Sequence, residues 1–143
     1  MQICLKLGDI YTIFESFNKV VERLSKLDNV PIKLNYKFAK LYNAIQQEYL
    51  KIVEQQEKLI NKYGVKDAKG KLIVEEDQGS KKQKTKIKED KIEDYKKELY
   101  DLFTLDVEIK YLPIYLKELC FEGFSLTMGE MTVLQRFIEE EGE

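Results

Sequence analysis

Apolar and polar positions change their period several times along this chain, and each change marks an element. Residues 2 to 7 alternate, with Ile3, Leu5 and Leu7 on one side and Gln2, Cys4 and Lys6 on the other. That is the period of a half-buried strand. Gly8 and Asp9 interrupt the alternation, and with Asp9 as a cap the apolar residues then recur at Ile10, Ile13, Phe14, Phe17, Val20, Val21, Leu24 and Leu27. Steps of three and four predict an amphipathic helix. Pro31 lacks an amide hydrogen and restricts Val30 before it, so this helix is expected to end around "LDNVPIKL".

The next segment carries a heptad seam. Phe38, Ile45, Ile52 and Leu59 repeat every seven residues, and Tyr42, Tyr49, Gln56 and Tyr63 fall between them. A helix from Tyr36 to Tyr63 would be about 42 Å long at ~1.5 Å per residue, and Gly64 stands where a left-handed residue would end it. Each large apolar residue of the seam contributes roughly 1.5 to 3 kcal/mol when buried, so the stripe needs a cover. One cover follows in the chain: Ile92, Tyr95, Leu99 and Leu102 repeat the same spacing, with Asp90 and Glu93 set as a cap and its reciprocal acid. This third helix is expected to fold back antiparallel on the second and to span about half of it. The rest of the seam must meet helix one or another subunit, so Phe38, Tyr42, Ile45, Tyr49, Ile52, Leu59 and Tyr63 are the candidate partner-binding residues.

Further on, "LDVEIKYLPI" sets Val107, Ile109 and Tyr111 opposite Glu108 and Lys110, a strand stopped by Pro113. Its natural partner is the strand at residues 2 to 7. Thr127 and Glu130 stand in the capping-box relation before Met131, Leu134, Phe137 and Ile138, which predicts a short C-terminal helix. Residues 139 to 143, "EEEGE", read as a solvated frayed tail.

Between the two longer helical segments lies "GVKDAKGKLIVEEDQGSKKQKTKIKED", residues 64 to 90. Turn signals "DAKG" and "DQGS" flank Leu72, Ile73 and Val74, and Gly70 and Gly79 can supply the positive φ that tight hairpins demand. A small β element at the tip of the helical hairpin follows. Residues 62 to 91 hold ten Lys against six Asp plus Glu, a local charge of +4. Lys81, Lys82, Lys84, Lys86 and Lys88 are therefore the candidate phosphate-binding residues of a nucleic-acid reading. The Lys run has neither Arg nor an aromatic residue, the groups that fork onto phosphates and stack on bases, and Glu75, Glu76, Asp77, Glu89 and Asp90 lie close by. A solvated loop, or a grip for an acidic protein face, fits that composition better than a nucleic-acid site.

The composition bounds the chemistry. A chain of 143 residues fits one domain spanning 1 to 143. A charged share of 35% beside an apolar share of 43% suits long two-faced helices, and a net charge of -2 argues against a polycation. The absence of His removes the commonest general base and metal ligand, so an enzyme is not expected, nor is a cofactor or a metal. Cys4 and Cys120 form no Cys-x-x-Cys; they read as two buried free thiols, with one bridge joining the chain ends as the alternative. No apolar run approaches the ~18 to 20 residues of a membrane span, and "MQICLKLGDI" carries charge too early for a signal peptide.

Taken together these elements predict a mainly helical α+β fold: a long antiparallel helical hairpin with a small β-hairpin tip, and a short two-stranded element pairing the N-terminal strand with residues near 106 to 111. The order of "VPIKLNYKFAKLYNAI", "EKLINKYGVKDAKGKLIV", "DVEIKYLPI" and "LTMGE" resembles a family of small uncharacterised proteins encoded by tailed phages of Gram-positive bacteria. No functional residues are defined for that family. The resemblance implies a non-catalytic interaction module, in the host cytoplasm or the virion, that serves as an accessory virion or assembly protein. The alternatives are an early protein that binds a host factor, in host takeover or anti-defence, or nucleic-acid binding through the Lys-rich tip. Either way a protein partner, a homo-oligomer or both are expected, and no membrane.

Overall fold

The computed structural model describes residues 1–76 and 83–140. The order is β1 (Gln2–Lys6), α1 (Leu7–Ser25), α2 (Ile32–Tyr63), β2 (Val74–Glu76), β3 (Gln83–Thr85), α3 (Ile92–Phe103), β4 (Asp106–Lys110), β5 (Ile114–Tyr115), α4 (Met128–Leu134) and β6 (Ile138–Glu139). The mainly helical α+β class predicted from periodicity is the one observed. β1 and β4 pair antiparallel, with Ile3 opposite Ile109 and Leu5 opposite Val107, so the apolar sides of both strands share one face.

Two helices, end to end, cover the third. α2 is continuous over 32 residues, while α1 has 19 and α3 has 12. α1 runs antiparallel along the first half of α2: Phe17 meets Phe38, Phe14 meets Tyr42, and Tyr11 meets Tyr49. α3 takes the second half, with Tyr95 edge-on to Tyr63. Tyr11 also stacks on Phe103, which closes the joint between α1 and α3. The cover that the heptad seam requires is therefore helix one rather than another subunit.

Several local expectations are corrected. Asp9 is not the N-cap of α1: β1 runs straight into the helix, Lys6 is the N-cap, and Asp9 sits in the first turn, where its Oδ2 accepts from the Lys6 amide at 3.4 Å. Gly8 is small because a Cβ there would lie 3.1 Å from the Phe103 carbonyl oxygen. Gly64 is not left-handed, since its φ of -70° and ψ of 146° are extended. Its added Cβ would meet the Ile60 oxygen at 2.5 Å and Leu72 Cδ2 at 2.6 Å, so close approach and not φ demands glycine. Asp90 lies in a 3-10 turn, Glu89–Lys91, and the residue preceding α3 is Lys91. α2 also begins earlier than periodicity showed, at Ile32, with Pro31 at the N-cap position and its carbonyl accepting from the Asn35 amide at 3.0 Å.

The tip is a β element, as expected. β2 and β3 pair antiparallel, Gly64 bridges Ile87, and Lys66 bridges Leu72. The Asp67 carboxylate accepts from the amides of Lys69 and Lys71, and Gly70 takes φ 79° in the same turn. The turn expected at 77 to 80, with Gly79, lies outside the described residues. The tail is corrected at its start: β6 pairs parallel with β5, Ile138 opposite Ile114 and Glu139 opposite Tyr115, so Glu139 is not frayed. Residues 141 to 143 lie outside the described part.

Candidate functional site at the base of the helical pair

The candidate seam faces inward. Phe38, Ile45, Ile52 and Tyr63 are buried, and Tyr42, Tyr49 and Leu59 are half-buried. Phe14 stacks on Tyr49 with ring centroids 4.0 Å apart, and the Tyr42 hydroxyl donates to Asn18 Oδ1 at 3.1 Å. The reading of these residues as a partner surface is therefore corrected: α1 and α3 already take up the apolar area that was to recruit a partner. Leu59 keeps some exposure in a shallow groove beside Glu98 and Leu102.

The tip lysines are dispersed. Lys84 and Lys88 are exposed, and Lys84 pairs across the ladder with Glu75. Lys86 is half-buried, with its Nζ 3.6 Å from Glu75 Oε1. Lys81 and Lys82 lie outside the described residues. Among the described positions the cationic row thus has a carboxylate at its centre. Both cysteines are free and exposed, which corrects their reading as buried thiols or as a bridge. Cys4 occupies an even position of β1, the side that alternation assigns to solvent.

An apolar surface without a cover lies at the other end, where α2 begins. Ile32 is 84% exposed and Tyr36, one turn on, is 62% exposed, while Leu34 and Phe38 on the opposite face are buried. A groove of about 350 Å³ runs between Ile32, Tyr36, Lys37 and Leu112. A second, of about 400 Å³, shares Ile32 and Lys33 and continues to Pro31, Cys120 and Phe121. The two grooves form one surface with Ile32 as its ridge.

The walls of this surface are held by a polar lattice. Lys37 Nζ lies 2.6 Å from Glu118 Oε1 and 4.8 Å from the centre of the Tyr115 ring. Glu118 also accepts from the Tyr115 amide at 3.0 Å, and Asn29 Nδ2 donates to the Glu122 carbonyl at 2.7 Å. Burial pushes the Glu118 carboxyl up, yet the Lys37 and Tyr115 hydrogen bonds win and hold it below the usual carboxylate range. Outside the residues that line the grooves, Arg23 donates to Glu130 and to the Ser125 carbonyl and lies over the Phe124 ring. Thr127 and Glu130 close the expected capping box, Glu130 amide to Thr127 Oγ1 at 3.2 Å and Thr127 amide to Glu130 Oε1 at 2.9 Å. Arg23 leads in holding the Glu130 carboxyl low.

The α2 side of the surface carries cations, one of them, Lys37, already paired with Glu118. Residues 29 to 47 contain Lys33, Lys37 and Lys40 and no acid, and the first turn of α2 has no acidic residue. Aligned peptide dipoles add partial positive charge at that helix start. Sequence reasoning placed Ile32 and Tyr36 before or at the edge of the helix. The available signal was that both fall outside the run Leu34, Phe38, Leu41, Ile45 that fills the core. Among the described residues no helix is long and apolar enough to cross a membrane. No family model, curated protein or solved structure matches the chain.

Proposed function

We infer that the protein is a non-catalytic interaction module whose base surface docks an amphipathic, acid-bearing segment of a protein partner. One observation carries this reading: Ile32 and Tyr36 stand exposed as a ridge between two joined grooves. Apolar side chains of the partner would fill the grooves, and its carboxylates would face Lys33, Lys40 and the start of α2. The ionised state of Glu118 and Glu130, each bonded to a cation, supports a structural role for these carboxylates over general acid work. The resemblance to small phage proteins supports a partner among virion and assembly components. A host factor met in the host cytoplasm is the alternative within the same reading.

The test compares the wild-type chain with Ile32→Asp/Tyr36→Asp in quantitative affinity capture, followed by cross-linking of the recovered complex. Both side chains are exposed, so melting is unchanged. Binding of a genuine partner falls more than about tenfold, and cross-links from Lys33 map to an acidic segment. A partner retained equally by both chains, or cross-linked elsewhere, refutes the assignment.

A further inference from the structure

The outer edge of β1 offers backbone groups that no described residue engages. At the two ends of the β1–β4 ladder the Tyr111 amide donates to the Met1 carbonyl at 3.0 Å, and the Leu7 amide donates to the Leu105 carbonyl at 2.9 Å. Bonded and non-bonded pairs alternate in an antiparallel ladder. Ile3 and Leu5 therefore direct their amides and carbonyls at Ile109 and Val107, while Gln2, Cys4 and Lys6 direct theirs outward. Those of Lys6 are engaged: its amide donates to Asp9, and its carbonyl, at the N-cap, accepts the first bond of α1. What remains on the edge is the amide and the carbonyl of Gln2 and of Cys4. Among the described residues β1 packs chiefly against β4 and the start of α1.

We propose that this edge pairs with the same edge of a second copy, antiparallel about a two-fold axis at Ile3, to make one four-stranded sheet in the order β4–β1–β1–β4. The geometry selects that axis. It sets Gln2 opposite Cys4 of the second copy twice over, and each pair exchanges two bonds, so every unused donor and acceptor on both edges is satisfied. An axis at Cys4 would oppose Gln2 to Lys6, whose groups are engaged, and only the Cys4 pair would bond. A slip of one residue would turn the apolar face of one strand toward the solvent face of the other.

The side chains agree with the backbone. Half-buried Ile3 meets its own copy on the core face, beside Met1, which is 59% exposed, while Leu5 is already buried in its own fold. On the solvent face only Gln2 and Cys4 meet, so no like charges are opposed. β4 differs: its outward residues are Asp106, Glu108 and Lys110, charged at each position in the manner of a guarded edge, and Ile109 is already 2% exposed under its own fold. Extension to four strands also strengthens a two-stranded ribbon, which is marginal alone. This self-pairing is independent of the base surface, and either can fail without the other.

Sedimentation velocity across the micromolar range tests it. The wild-type chain shows a concentration-dependent dimer. Gln2→Lys/Cys4→Lys alters two exposed side chains, opposes like charges at both bonded pairs, and weakens the dimer by about tenfold or more with an unchanged circular dichroism spectrum. A second variant reads the register: in a Cys120→Ser chain, Gln2→Cys places a thiol roughly 5.5 Å, Cα to Cα, from Cys4 of the second copy, within disulfide reach. Mild oxidation then gives a covalent dimer, and adding Cys4→Ser abolishes it. A monomer throughout the range, a dimer indifferent to the Lys substitutions, or a failure of the Gln2→Cys chain to cross-link overturns the proposal.

Discussion

Ile52 and Leu50 stand two residues apart on α2 and meet opposite environments: Ile52 is fully buried and Leu50 is 57% exposed. Truncation of each to Ala in the isolated chain distinguishes a seam that fills the core from one that waits for a partner. Ile52→Ala deletes three carbons, about 2.4 kcal/mol at ~0.8 kcal/mol per buried methylene, and leaves a cavity between helices that cannot collapse fully. A loss of about 3 kcal/mol is expected. Leu50→Ala should stay within ~0.5 kcal/mol, as surface substitutions do. In urea unfolding, with a slope near 2 kcal/mol per molar, the Ile52→Ala midpoint falls by about 1.5 M at an unchanged slope, and the Leu50→Ala midpoint stays in place. Equal small shifts for the two variants in the monomeric chain would refute the claim that α1 and α3 cover the seam.

Two further outcomes follow from the same geometry. The Glu118 and Glu130 carboxyls are held low in the folded chain, so the stability they contribute is fully present above the unfolded value of about 4.3 and is lost as pH falls through the folded values. Glu118→Gln/Glu130→Gln should flatten the acid limb of a plot of urea midpoint against pH, and an unchanged limb would sink the argument. Gly64→Ala forces a methyl to 2.5 Å from the Ile60 oxygen and 2.6 Å from Leu72 Cδ2. Overpacking costs about 1–3 kcal/mol against a backbone-entropy gain of about 0.4–1, so a net loss of ~1–2 kcal/mol should lower the melting temperature. Amide exchange should quicken at Val65 and Lys88, which bond Lys86 and Tyr63 beside that contact.

How far the fold was legible depended on how local each signal was. The strands at 2–6 and 106–110, the helix from Thr127 and the β tip declared themselves through alternation, a capping box and turn residues, all of which act within a few positions. Gly64 misled because small size was read as backbone freedom, whereas it is small to admit the Ile60 oxygen and Leu72 Cδ2. Parallel pairing of Ile114–Tyr115 with Ile138–Glu139 had no local mark: the strands are two residues long and joined through a helix. The candidate site was least legible. Exposure of Ile32 and Tyr36 depends on what the chain from Leu112 to Phe121 covers and what it leaves open.

Hydrophobic period by itself determined which residues of this chain need a cover, since a stripe on a helix or strand is a property of spacing alone. It identified the seam from Phe38 to Tyr63 as a surface that water would not leave bare. Only the tertiary structure decided what covers it, because α1, α3 and a second copy could all offer apolar area to the same stripe, and sequence spacing cannot rank them. Once α1 and α3 meet at Tyr11 and Phe103 and close over α2, the seam is hidden while Ile32 and Tyr36 at the start of α2 stay exposed. The physical reason is that burial is non-directional: it dictates how much area must be hidden, and chain geometry dictates by what.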